Sequence, residues 1–182
     1  MSPYFFDFYH NWSNKLLGII GDDLASVYDR YITSFVIYNS LYNQVPEALI
    51  ENGIPVASKI FDNKLATEIV VQFVGATNLL DLLYNNGCGN DIQGIINLID
   101  QQMFYIKIKY GQRQRNEDLK LLSDLNSTNH NKKAVAILQV LYHVRCNIFH
   151  GNKNFEEYQR ILVEPLFKIL QIINSELFNR LQ

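Results

Sequence analysis

"NKLATEIVVQFVGATNLLDLLYN", residues 63–85, decides between an all-helical chain and a mixed one. Its centre, "EIVVQFV" at residues 68–74, is a β-branched cluster that a short buried strand would carry as readily as a helix. The run is long for a strand, and its apolar residues recur at three- and four-residue steps, which is helical spacing. It stops at "NNGCGND", residues 85–91, where two glycines with flanking Asn and Asp supply turn chemistry. A helix over Asn63 to Asn85 is therefore expected.

The neighbouring stretches repeat the pattern. In "DDLASVYDRYITSFVIYNSLYN", residues 22–43, Leu24, Val27, Tyr28, Tyr31, Phe35, Tyr38, Leu41 and Tyr42 fall on one helical face, opened by Gly21 and Asp22 and limited by Pro46. A third run covers about Asp91 to Ile108. "KIKYGQRQRNEDLKLL", residues 107–122, is polar and broken by Gly111, so it reads as a loop entering a short amphipathic helix near Glu117 to Leu125. Lys132 to His150 and Phe155 to Leu181 are again helical, the latter with Asn154 and Glu157 at capping-box spacing and Pro165 at a place where it would kink the helix. No stretch other than "EIVVQFV" suggests a strand, and no repeat or linker divides the chain. The expectation is one all-α domain over residues 1–182, a bundle of five to seven helices.

With 182 residues, 48% of them apolar and 13% aromatic, the chain can bury a sizeable core. The net charge of -2 argues against a surface that grips nucleic acid through a global positive field, which confines any RNA contact to a local patch. Cys88 and Cys146 form no CxxC pair and no histidines cluster at zinc-finger spacing, so neither a disulfide framework nor a metal site is expected. "MSPYFFDFYHNW" lacks a basic segment followed by an apolar one, and no run of about 18 apolar residues occurs, so a cytoplasmic protein without membrane contact is expected.

"YHVRCNIFHGNK", residues 142–153, carries an arginine among apolar residues. At about 100° per residue, Ile137, Leu138, Leu141, Val144 and Ile148 share a side of the helix with Arg145, while His143, Asn147 and His150 line up on the other. A guanidinium on an apolar face is costly to desolvate unless an anion meets it. One reading ties Arg145 to a carboxylate of another helix, such as Asp29, Glu68 or Asp81; His10 and His130 show no partners.

"RCNIFHG" has the form R-x4-H at a helix end, and in a small all-α chain this resembles the HEPN superfamily, many of whose members are metal-independent ribonucleases. "DRYITSFVIYNSLYN" is similar to the aromatic-rich helix that such proteins carry ahead of the motif, with Arg30, Phe35, Asn39 and Tyr42 in corresponding places. The resemblance implies catalytic roles for Arg145 and His150 and a supporting one for Asn147. It implies no cofactor, an RNA substrate, a homodimer, and a toxin or antiphage defence role with a possible cognate antitoxin. Two departures stand out: Cys146 occupies a place that is often polar in the family, and Asn152 stands where the nucleotidyltransferase-paired subgroup has a tyrosine. A catalytically silent HEPN-like module for dimerisation or partner binding is the alternative.

The chemistry suits the residues. When a 2′-OH attacks the adjacent phosphate, a histidine near its ordinary pKa of about 6.5 can move protons, and arginine's planar fork can offset the charge that develops. Arg145 and His150 lie about 140° apart on an ideal helix, so two copies of the helix end across a twofold axis would bring the pairs together. Lys153 and the following helix start either offer a phosphate contact or form a plain helix cap that binds only water. Lys107, Lys109, Arg113 and Arg115, interleaved with Tyr105 and Tyr110, either capture RNA or form an ordinary solvated loop.

Overall fold

Four tyrosines on one helix organise the protein. In the computed structural model, which describes residues 3–149 and 156–182, helix α2 (Leu24–Tyr42) begins at Asp23, whose carboxylate accepts from the Ser26 amide at 3.0 Å. Tyr31, Tyr38 and Tyr42 on this helix are almost completely buried, and so is Phe35 between them. A buried phenol must donate its hydroxyl proton somewhere. Tyr28 donates to the Gln159 side chain, Tyr31 to the Leu141 carbonyl at 2.7 Å, Tyr38 to the Ala66 carbonyl and Tyr42 to Asp62 at 2.7 Å. Each bond ties α2 to a different element.

Among the described residues seven helices have ten or more residues. Besides α2 these are α1 (Pro3–Leu17), α6 (Ala76–Asn85), α7 (Gly89–Asp100), α8 (Arg115–Leu125), α9 (His130–Phe149) and α10 (Arg160–Leu181). Three shorter pieces, α3 (Val45–Glu51), α4 (Asp62–Lys64) and α5 (Val70–Val74), complete the set. The chain is an all-α single-domain bundle. Helix α10 packs along α2, where the buried Asn174 amide donates to the Ser34 carbonyl at 2.9 Å. Helix α9 lies against α6, α8 and the α4–α5 region. Helix α1 joins through the Tyr9 and Phe178 rings, stacked at 3.6 Å.

The β-branched cluster is helical, with two irregularities. Between α4 and α5 the chain makes a π-helical turn over Leu65–Ile69, where the Tyr38 hydroxyl reaches the Ala66 carbonyl and Thr67 Oγ1 bonds back to the Asn63 carbonyl at 2.6 Å. Side chains that enter the helical ladder in this way are a recognised cause of such local unwinding. The expected single helix over 63–85 then breaks at Gly75, whose φ of 88° is the left-handed region, and α6 leaves at 88° to Asp62–Val74.

Other boundaries also move. The third helix ends at Asp100 instead of continuing to Ile108, and the Arg115 guanidinium donates at 3.2 Å to the Ile99 carbonyl, which also accepts from the Gln102 amide at 3.1 Å. The expected loop near Gly111 holds a two-residue antiparallel ladder, β1 (Ile108–Lys109) with β2 (Gln112–Arg113). Helix α1 has no counterpart among the sequence expectations. Helix α10 starts at Arg160 after a 3-10 turn over Glu157–Gln159 and runs through Pro165; Asn154 of the expected capping box lies outside the described residues. No single described helix is long and apolar enough to cross a membrane; Asp62–Val74 and Ala76–Asn85 satisfy length and composition only together, across their bend.

Candidate functional site

Helix α9 buries Val140, Leu141, Val144 and Asn147 in its second half, so its last turns carry side chains into the protein in several directions. Arg145 points toward α2. Its Cζ lies 5.3 Å from the centre of the Phe35 ring and 4.7 Å from that of Phe149, and its Nη1 lies 3.9 Å from Cys146 Sγ. The ring faces attract a cation through their quadrupoles. Among the described residues Arg145 forms no ion pair, and its buried Nε has no hydrogen-bond partner.

The structure therefore corrects one expectation. Asp29 and Asp81 are exposed, and Glu68 pairs with Lys64 at 3.3 Å, so none of the three carboxylates neutralises Arg145. Aromatic rings take their place. Another carboxylate, Asp62, is held by two phenols: Tyr42 donates to one oxygen at 2.7 Å and Tyr142 to the other at 2.9 Å. Burial and the Asp62 charge push both hydroxyls well above the ordinary phenol range, so both keep the protons they donate. Arg145 is close enough to Tyr42 to pull in the opposite direction, by a smaller amount.

The other side of α9 faces the segment before β1. Asn147 is 4% exposed and its amide nitrogen donates to the Ile106 carbonyl at 3.0 Å. One turn earlier, His143 Nε2 lies 2.5 Å from Lys107 Nζ. Burial, reinforced by the Lys107 charge, pushes the His143 pKa down to about 4, so at neutral pH the ring is uncharged and accepts from the ammonium. Burial also lowers the Lys107 pKa. Asp118 Oδ1 accepts from the backbone N–H groups of Ile106 and Lys107 at 3.2 and 2.8 Å, while burial raises the pKa of this carboxyl.

The sequence-derived candidates thus separate. Arg145 meets α2, whereas Asn147 and His143 meet the 104–107 segment on the opposite side of the same helix. His150 and Lys153 lie outside the described residues. Arg115 is turned toward the end of α7, and Lys107 toward His143. Arg113 stays at the surface, its guanidinium 4.1 Å from the centre of the Tyr105 ring. Sequence reading missed the Tyr42–Asp62–Tyr142 arrangement, in which Asp62 and Tyr142 are 80 positions apart, and the Lys107–His143 contact. The signal available was that Tyr142 and His143 stand within one turn before Arg145. Among the described residues no three His, Cys, Asp or Glu side chains gather where they could hold a metal ion. No protein-family model, curated protein or solved structure matches the chain.

Proposed function

We propose that the chain is a metal-independent endoribonuclease of HEPN type, cleaving RNA by attack of a 2′-OH on the adjacent phosphate and serving as a toxin or antiphage defence nuclease. One observation supports this above the others: the Arg145 guanidinium sits on two aromatic rings at the end of α9, without a carboxylate among the described residues to neutralise it. A planar, permanently charged fork in that state is suited to an incoming phosphate and to the charge that grows on a phosphorane. His150, five residues further on, supplies a group able to take or give a proton near neutral pH. The Arg145–His150 pairs of two protomers meeting across a twofold axis would complete two sites, with acid and base from different chains.

A second reading, a catalytically silent module that dimerises or binds a partner, draws on a different observation. Asn147 is buried and donates to the Ile106 carbonyl, so the motif's internal polar residue anchors the scaffold. One experiment separates the two: purified protein is incubated with total RNA with and without EDTA, beside Arg145→Ala and His150→Ala variants verified as folded by circular dichroism. Cleavage by the parent protein and its loss in both variants is the expected result. Absence of cleavage by the parent leaves the second reading, and cleavage that disappears with EDTA removes metal independence.

A further inference from the structure

Between α7 and α8 the chain forms a small hairpin whose base is fastened to the bundle. Ile106 and Lys107 are held by Asn147, His143 and Asp118, and the ladder of β1 and β2 follows directly. This fastening places the hairpin base beside the last turns of α9, which carry Arg145.

The tip differs from the base. Lys109 pairs with Gln112, which leaves Tyr110 and Gly111 as a two-residue turn with φ of 50° and 73°. Positive φ at both central residues defines a type I′ turn, for which Asn-Gly and Asp-Gly are the favoured pairs. Gly111 suits it; a tyrosine at positive φ is strained. Tyr110 gains no burial in return, since it is 93% exposed. A strained conformation kept at a position that contributes nothing to the core points to work outside the fold.

The surroundings of Tyr110 indicate the partner. Lys109 Nζ lies 5.4 Å from its ring centre, and on the same hairpin Arg113 lies over Tyr105. Neither cation forms an ion pair among the described residues. Of the two acidic residues that follow in sequence, Asp118 is completely buried and accepts backbone N–H bonds from the hairpin base, so its charge is turned away from the tip. We infer that this hairpin is a platform for single-stranded RNA, with Tyr110 and Tyr105 stacking on bases while Lys109 and Arg113 meet the phosphates between them. Stacking on a side chain requires a base whose face is free, and bases within a duplex do not offer one. The inference rests on the ribonuclease reading for its choice of RNA and adds the form in which the substrate is taken.

The test is fluorescence anisotropy in EDTA with a labelled single-stranded oligoribonucleotide of mixed sequence, on His150→Ala protein so that the RNA survives. Tyr110→Asn removes the ring but suits positive φ, so folding should be unchanged or improved while affinity falls roughly 5- to 100-fold. Tyr110→Trp should retain binding. Lys109→Gln and Arg113→Gln should each reduce the slope of log affinity against log salt by about 0.7. The same sequence annealed as a duplex should bind more weakly and ignore Tyr110. Equal affinity in Tyr110→Asn, or a duplex bound as tightly as the single strand, overturns the inference. So does Tyr110-dependent binding to phosphatidylserine vesicles without binding to the oligonucleotide. The two readings fail separately: Tyr110-dependent RNA binding by a parent protein that does not cleave keeps the platform and removes the nuclease. Cleavage at limiting RNA that is indifferent to Tyr110→Asn does the reverse.

Discussion

Replacing Arg145 by methionine should abolish RNA cleavage while leaving the protein nearly as stable as before. The guanidinium faces Phe35 at 5.3 Å and Phe149 at 4.7 Å, and Arg145 is only partly buried, so each contact contributes about 0.5–1 kcal/mol. Against this stands the buried Nε with no partner among the described residues, and an unsatisfied buried donor costs about 1–3 kcal/mol. Methionine keeps an unbranched stem over the same rings, and a thioether against an aromatic ring restores about 0.3–1.5 kcal/mol. The opposing effects leave a net change within about 1 kcal/mol, or a shift in Tm of about 2–4 °C for a chain of this length. Urea unfolding followed by far-UV circular dichroism gives the number, with midpoint and slope compared between parent and variant. Had Arg145 been the partner of a buried carboxylate, its removal would cost about 3–5 kcal/mol. A loss of that size at unchanged slope would refute the aromatic seat, and retained cleavage would refute the catalytic role.

Two further outcomes test the opposite side of α9. His143 has a folded pKa near 4 against an ordinary value of 6.5, so between these values the unfolded chain binds the additional proton and stability falls as pH falls. The loss, up to about 3 kcal/mol in total, should be complete near pH 4 and absent above about pH 7. It is read as the difference between the parent and His143→Gln, because the raised pKa of Asp118 works in the opposite direction and cancels in the subtraction; parallel pH profiles would sink the assignment. Asn147→Ala should cost about 1–3 kcal/mol, since it leaves the Ile106 carbonyl short of a donor in a buried place. Hydrogen exchange should then speed up at residues 104–109, and an unchanged melting temperature would show that the amide anchors nothing.

Helix α2 was legible almost to the residue because its apolar positions keep helical spacing throughout and a single aspartate caps it. The cluster "EIVVQFV" was legible as helix only through its length, and the break at Gly75 was not, since a lone glycine inside a periodic run is compatible with an uninterrupted helix. Helix α1 escaped because Phe5, Phe6, Phe8, Tyr9 and Trp12 crowd its first turns with aromatics on more than one face, which blurs the period. The hairpin escaped because two residues per strand are too few for alternation to register.

What the sequence determined by itself is the class of fold and the directions of side chains along α9. Periodicity is local, and a rotation of about 100° per residue already sends Arg145 and Asn147 to different sides. Who meets each side chain was decided by the tertiary structure. Arg145 rests on Phe35 from a helix 110 positions earlier in the chain, Asp62 is shared by phenols 20 positions before and 80 positions after it, and His143 answers to Lys107 across 36. A charged side chain on an apolar face announces that it requires a partner; an aromatic ring and a carboxylate both satisfy that requirement, and only packing selects between them.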